Sequence, residues 1–145
     1  MEIELRAIEG KDYLSLLPLW NNELGSRYVS ADNIAPHYDR VKGDERYKTF
    51  VALLDNEIVG FVSSVQSFGV GIEGSFMQII GIAVKTEKQN KGIGTKLLQH
   101  MENYAKAIGV FHISLNTGIN RTAAHAFYER KGYRTGENLN FGKKL

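Results

Sequence analysis

Phe76-Met77-Gln78-Ile79-Ile80-Gly81-Ile82-Ala83-Val84 is a nearly continuous apolar run, and it soon gives way to Gln89-Asn90-Lys91-Gly92-Ile93-Gly94-Thr95. A run of this kind reads as a strand buried on both faces, the expected centre of a sheet. Gly81 within it marks either a bulge or a place where another backbone or a ligand comes close. Past the glycine-rich stretch, Ile93, Leu97, Met101, Tyr104, Ala105 and Ile108 fall on one helical face, and Lys96, Gln99, Glu102 and Lys106 lie opposite. A helix between Gly92 and Gly109 is the clearest in the chain. Val110 to Leu115 reads as a strand, so residues 76–115 form strand, helix, strand. A crossover of that length makes the two strands parallel and the connection right-handed.

Upstream, Ile3 to Ile8 alternates apolar and polar residues as a first strand does. From Asp12 onward, Leu14, Leu17, Trp20, Asn21 and Leu24 recur at helical spacing, with a kink or break at Pro18 and an end at Gly25. Ser30 is placed to cap a second short helix reaching Tyr38 or Val41. Tyr47 to Leu54 and Glu57 to Val65 are β-rich runs joined at Asp55-Asn56, a tight hairpin signal. Gly69, Gly71 and Gly74 mark the next turn. Downstream, a helix starts at Asn120 or Thr122 and ends at Gly132. Tyr133 to Thr135 and Leu139 to Lys143 read as short closing strands. The whole is an α/β arrangement of mixed, mostly antiparallel sheet with one parallel unit.

The 145 residues suit one domain, residues 1–145, and neither an internal repeat nor a linker divides them. Apolar residues at 43% and charged residues at 23% are the balance of a globular protein. There is neither an 18-residue apolar run nor a secretory leader at the N-terminus, so no membrane partner is expected and a cytoplasmic location is the default. The absence of cysteine removes a disulfide framework, a thiolate zinc site and a cysteine nucleophile. Eighteen basic against sixteen acidic residues, a formal charge of +2, is too mild to argue for a nucleic-acid partner.

The turn from Gln89 to Lys96 sits where the apolar strand meets the strong helix. A helix N-terminus presents unpaired N–H groups and a positive dipole end, and glycines remove the side chains that would keep a phosphate away from them. Lys91 and Lys96 add charge at its edge. The nucleotide-triphosphate loop needs Gly-Lys followed by Ser or Thr, but here Lys91 precedes Gly92. The dinucleotide fingerprint needs a third glycine where Leu97 stands. Both fail, and two isolated glycines would mean no more than a tight turn.

The neighbouring segments change that reading. Gln89-x-x-Gly92-x-Gly94 after a buried strand resembles the diphosphate-binding signature of the GNAT family, the GCN5-related N-acetyltransferases. Asn120-Arg121-Thr122-Ala123-Ala124-His125-Ala126-Phe127-Tyr128-Glu129-Arg130-Lys131-Gly132-Tyr133 is similar to that family's Asn-x-x-Ala-x-x-x-Phe-Tyr helix, in the expected order. The resemblance covers residues 76–133 and implies a GNAT-like three-layer fold whose parallel strands splay to admit coenzyme A. It implies an acetyl-CoA-dependent N-acetyltransferase acting on a primary amine of a small molecule or peptide by direct attack. A non-catalytic acyl-CoA sensor is the alternative.

On that resemblance, the backbones of Ile82, Ala83 and Val84 pair with the pantetheine arm, and those of Gln89, Asn90, Lys91, Gly92, Ile93, Gly94 and Thr95 hold the diphosphate. Asn120 hydrogen-bonds the cofactor, and Lys131 approaches its phosphates. Tyr128 protonates the departing thiolate, a role open to a phenol of ordinary pKa near 10. The acceptor amine must also lose a proton. Some members of the family carry a glutamate in the central strand, whereas here that strand offers Gln78 and no carboxylate, so Glu73, just before the strand, is the first base considered, against the plainer reading of a solvated turn carboxylate. Glu23 and Asp39 are open to the same role or to binding a cationic substrate. His37, His100, His112 and His125 lack metal-ligand spacing, and no metal is expected. A homodimer is the expected assembly, as the commonest symmetric one.

Overall fold

A computed structural model describes residues 2–145. The chain divides into two compact units, a larger one ending at Leu115 and a smaller one running from Asn116 to Leu145. In the larger unit, strands β1 (Glu4–Ala7), β2 (Tyr47–Leu54), β3 (Glu57–Phe68), β4 (Ser75–Val84) and β5 (Val110–Leu115) form one sheet in sequence order. Neighbours are antiparallel except β4 and β5, which are parallel, as the intervening helix α3 (Ile93–Ala107) requires. The hairpin between β2 and β3 turns on Asp55 and Asn56, both at positive φ (52° and 65°), the backbone that a two-residue turn of the primed kind demands.

Ser63 pairs with Gly81 and Ser64 with Ile79, so Ile80 is an extra residue in β4. The bulge expected at Gly81 is there, one residue earlier. Opposed residues of an antiparallel pair share a face. Ser64 faces α3, donating its hydroxyl to the Met101 sulfur, so Ile79 faces α3 as well. Gly81 faces the other side, where its Cβ position lies 2.8 Å from the Trp20 ring.

That other side is covered by two helical segments. The first begins as a 3₁₀ turn (Gly10–Asp12), continues as α1 (Tyr13–Pro18) and widens into a π turn (Leu19–Glu23); the second is α2 (Ile34–Val41). Tyr13, Leu16, Leu19 and Ile34 bury themselves against Val51, Leu53, Ile58, Phe61 and Ala83. Opposite them, Ile93, Leu97, Leu98, Met101 and Ala105 of α3 are buried. The larger unit is therefore three layers, with helices on both faces of the sheet.

Four expectations are corrected. In the first helical segment Tyr13, Leu16 and Leu19 are the buried residues, Leu17, Trp20 and Leu24 pack half-buried against the same core, and Leu14, expected to share their face, is 62% exposed. Asn33, not Ser30, holds the N-cap position of α2, although no side chain caps the helix there; Ser30 heads the turn before it, its N–H donating to Asn33 Oδ1 at 2.8 Å and its carbonyl accepting from the Ile34 N–H at 3.0 Å. β4 is not the doubly buried centre of the sheet. β3 is, with Ile58 to Ser64 buried without a break, whereas Phe76, Gln78, Ile82 and Val84 are half-buried and Ile80 is 48% exposed. Finally, neither Tyr133 to Thr135 nor Leu139 to Lys143 forms a strand. Leu139 and Phe141 are 82% and 88% exposed, and the glycines and polar residues around them leave too little apolar surface to offset the ordering of an extended chain.

The smaller unit contains α4 (Thr122–Arg130), whose end is turned by Gly132 at φ 91° with the Tyr133 N–H returned to the Tyr128 carbonyl at 3.0 Å. Thr122 rather than Asn120 is its first residue.

Candidate functional site

The pairing of β4 with β5 runs from Ser75 opposite Val110 to Ile79 opposite Leu115 and stops there. Gly81 to Val84 continue on β3 alone among the described residues, so the outer edge of this half of β4 carries backbone N–H and C=O groups with no strand beside them. The bulge sits at the point of parting. Ile82, Ala83 and Val84, the residues singled out for a pantetheine arm, all lie on this edge.

After β4 a 3₁₀ turn (Thr86–Lys88) leads into the glycine-rich stretch. Asn90 and Gly92 both take positive φ (62° and 82°), which Asn tolerates and Gly adopts without strain. The first bond of α3 is from the Lys96 N–H to the Gly92 carbonyl at 3.1 Å. By helix geometry the N–H groups of Gly92, Ile93, Gly94 and Thr95 therefore point out of the first turn, and no side chain caps them. Space at Gly92 is open, with nothing within 4 Å of its Cβ position. Lys91 and Lys96 are exposed beside it. The predicted diphosphate residues, Gln89 to Thr95, are thus brought together in one turn of suitable shape and charge.

Two side chains of the π turn reach this region, through contacts that no sequence motif announces. Trp20 lays its six-membered ring over Gly81, packs at a tilt on Phe61 with ring centres 4.9 Å apart, and donates its Nε1–H to the Tyr38 hydroxyl at 2.9 Å. Glu23 accepts the Thr86 hydroxyl at 2.8 Å and the Gln89 side-chain amide at 3.2 Å. The same Gln89 nitrogen donates to the Val84 carbonyl at 3.0 Å. Glu23, weighed as a base, is therefore bonded to the turn itself. Asp39 likewise accepts the Tyr13 hydroxyl at 3.1 Å, and burial with that contact pushes the Tyr13 phenol up. Burial also raises Tyr38.

In the smaller unit, Tyr128 is half-buried between Phe127 (5.3 Å) and Tyr133 (6.0 Å). Burial pushes its phenol above the ordinary value, with Arg121 pulling weakly the other way. The group is a neutral hydrogen-bond donor at any physiological pH. His125 is bonded through Nε2 to the Gly118 carbonyl at 2.8 Å, which ties α4 to the loop carrying Asn120. Asn120 is exposed, and Lys131 holds its ammonium 5.7 Å from the centre of the Phe127 ring. Glu73 stands on the exposed turn before β4. His100 packs edge-on to Phe50 at 4.4 Å, while His37 and His112 are exposed. Among the described residues there is no group of three or more acidic or histidine side chains able to hold a metal ion, and no helix is long and apolar enough to cross a membrane.

This sheet, parted at a bulge and followed by an open glycine turn, is an α+β fold shared with solved acetyltransferases. An acetyltransferase of the same family from Staphylococcus aureus superposes with a TM-score of 0.83 at 22% identity, covering 100% of both chains. An aminoglycoside acetyltransferase from an uncultured soil metagenomic sample gives 0.85 at 22% identity, over 99% of this chain and 96% of that one. The pattern of the acetyltransferase (GNAT) family matches residues 14–133, and the chain belongs to that family. Among curated relatives, an uncharacterized N-acetyltransferase of Methanocaldococcus jannaschii is 37% identical over 86 residues, 59% of this chain and 51% of that protein. The aminoalkylphosphonate N-acetyltransferase of Salmonella typhimurium is 32% identical over 95 residues, 66% of this chain and 61% of that protein. The chain spans about half to three fifths of the length of these two relatives.

Proposed function

We propose that the protein is an acetyl-CoA-dependent N-acetyltransferase that modifies a primary amine of a small molecule or peptide. The observation that carries this reading is the family match across residues 14–133, which contains both the glycine turn and the Asn120 to Tyr133 segment. The residues present fit the cosubstrate. The four outward N–H groups at the start of α3, with open space at Gly92, suit a diphosphate, and the edge of Ile82 to Val84, with no strand beside it and only the Val84 carbonyl taken by Gln89, suits the amides of a pantetheine arm. Asn120 and Lys131 are taken as further contacts to the cofactor.

Acetyl-CoA would supply the activated acetyl group as a thioester. In direct transfer the amine nitrogen bonds to the carbonyl carbon, the carbon–sulfur bond breaks, and the amine gives up a proton. Tyr128 supplies the proton that the leaving sulfur needs, and its raised pKa keeps that proton in place until then. Glu73 is taken as acceptor of the amine's proton, directly or through water. The relative from Salmonella puts an aminoalkylphosphonate in the acceptor panel, beside aminoglycosides, polyamines and peptide amines. A cytoplasmic homodimer completes the reading.

The test is to mix purified protein with acetyl-CoA and that panel while following free thiol. Amine-dependent thiol release supports the enzyme. Binding of acetyl-CoA without release from any amine leaves the acyl-CoA sensor instead.

A further inference from the structure

We infer that Glu23 is a positioning residue, whose carboxylate fastens the first helical segment to the turn before α3 and so sets the diphosphate-binding geometry. The inference rests on the reading of that turn as the diphosphate site. Glu23 is the last residue of the π turn, half-buried, and uses both oxygens: Oε1 takes the Thr86 hydroxyl at 2.8 Å and Oε2 takes the Gln89 amide at 3.2 Å. Through Gln89 the clasp extends to the Val84 carbonyl at 3.0 Å, the last residue of β4. One side chain thus gathers the strand end, the 3₁₀ turn and the first residue of the glycine stretch. Three residues earlier on the same π turn, Trp20 packs on Gly81 at the bulge. Both stretches assigned to the cofactor are therefore braced by a single turn of the first helix.

The sign of the charge makes the role testable. A carboxylate beside an anion site repels the anion, so Glu23 opposes diphosphate binding as a charge and favours it as a clasp. Glu23→Ala removes both effects. Glu23→Gln removes the charge and keeps one accepting oxygen, enough for the Thr86 hydroxyl but not for the Gln89 amide as well. Calorimetry is run on the parent and both variants with coenzyme A and, separately, with pantetheine, which lacks the diphosphate; melting temperatures confirm folding.

Glu23→Ala is expected to weaken coenzyme A roughly tenfold, the loss of about one net charged hydrogen bond. Glu23→Gln, which keeps one bond of the clasp and sheds the repulsion, is expected to fall between the parent and Glu23→Ala, and pantetheine is expected to bind all three proteins alike. If both variants bind coenzyme A as tightly as the parent or more tightly, the clasp is overturned and only the repulsion is left. Parallel losses for coenzyme A and pantetheine overturn it as well, by showing a general effect on the fold. A parent protein giving no heat with coenzyme A removes the diphosphate site itself, and Glu23's role with it.

Discussion

Replacing Gly81 by alanine tests whether the bulge of β4 is locked by Trp20. The added methyl would sit 2.8 Å from Trp20 Cη2, 3.2 Å from Cζ3 and 3.3 Å from Leu24 Cδ1. Carbon atoms at rest lie about 3.5 to 4.0 Å apart, so the ring must retreat by about 0.7 to 1.2 Å. It has little freedom to do so. Phe61 lies behind it, and its Nε1–H is engaged by the Tyr38 hydroxyl at 2.9 Å. Overpacking of this kind costs about 1–3 kcal/mol. For a chain of this length that lowers the melting temperature by about 3–10 °C. Trp20→Phe removes the two atoms in the way, so in the double variant the alanine methyl finds room. A thermal or urea unfolding cycle over the two single variants and the double should show a favourable coupling of at least about 1 kcal/mol. Additivity within about 0.5 kcal/mol, or a Gly81→Ala protein as stable as the parent, would refute the packing argument.

Tyr128→Phe should cut kcat by about 10²-fold or more while calorimetry finds coenzyme A affinity unchanged, because the hydroxyl matters only as sulfur leaves. Since burial raises that phenol, the parent's rate should hold to high pH and fall only above the ordinary tyrosine value; an equal rate in the phenylalanine protein removes the role. Gly92→Ala forces a side chain to φ 82° at the mouth of α3 and should weaken coenzyme A binding while costing about 1 kcal/mol of stability, read by calorimetry and melting. Glu73→Gln should lower the rate at neutral pH and abolish the acid limb of the pH–rate profile if Glu73 is the base, and an unaltered profile would pass that step to water. Arg6 grips Asp12 through two hydrogen bonds of 2.7 and 3.0 Å, with Asp12 only 4% exposed, and chiefly that contact holds the Asp12 carboxyl below its usual range. A depressed folded value means stability that is complete above the unfolded pKa near 3.9 and is lost as pH falls through the folded one. The parent's melting temperature should therefore fall more steeply below about pH 4 than that of Asp12→Asn.

Elements whose residues repeat at a regular period were readable. The helix at Ile93 and the hairpin at Asp55-Asn56 needed only local information, and both appear where the pattern put them. In the first helical segment Leu17, Trp20 and Leu24 pack on the core as their spacing suggests, whereas nothing in Leu19 to Glu23 announces the five-residue bond of the π turn. The closing strands expected at Tyr133 and Leu139 are absent because a short β-rich stretch does not show whether a neighbouring strand exists to receive its backbone. In the site, the glycine turn was legible because its chemistry is main-chain and its residues are contiguous. The Glu23 clasp was not, since it joins residues 63 and 66 positions apart through side chains whose direction depends on the tertiary fold. His125 was dismissed with the other histidines for want of metal spacing, and its bond to Gly118 follows from a loop that no motif describes.

Ile80 has one more effect, on the arithmetic of the strand. Up to Ile79 the odd-numbered side chains of β4 point toward α3, and from Gly81 onward the odd numbers point toward the first two helices. The surplus residue works like a frameshift in three dimensions: it lets one strand serve two cores whose spacing is out of step. Deleting it would restore a single parity and aim one half of the strand at the wrong layer, so this stretch should tolerate exchanges of residue far better than any change in its length.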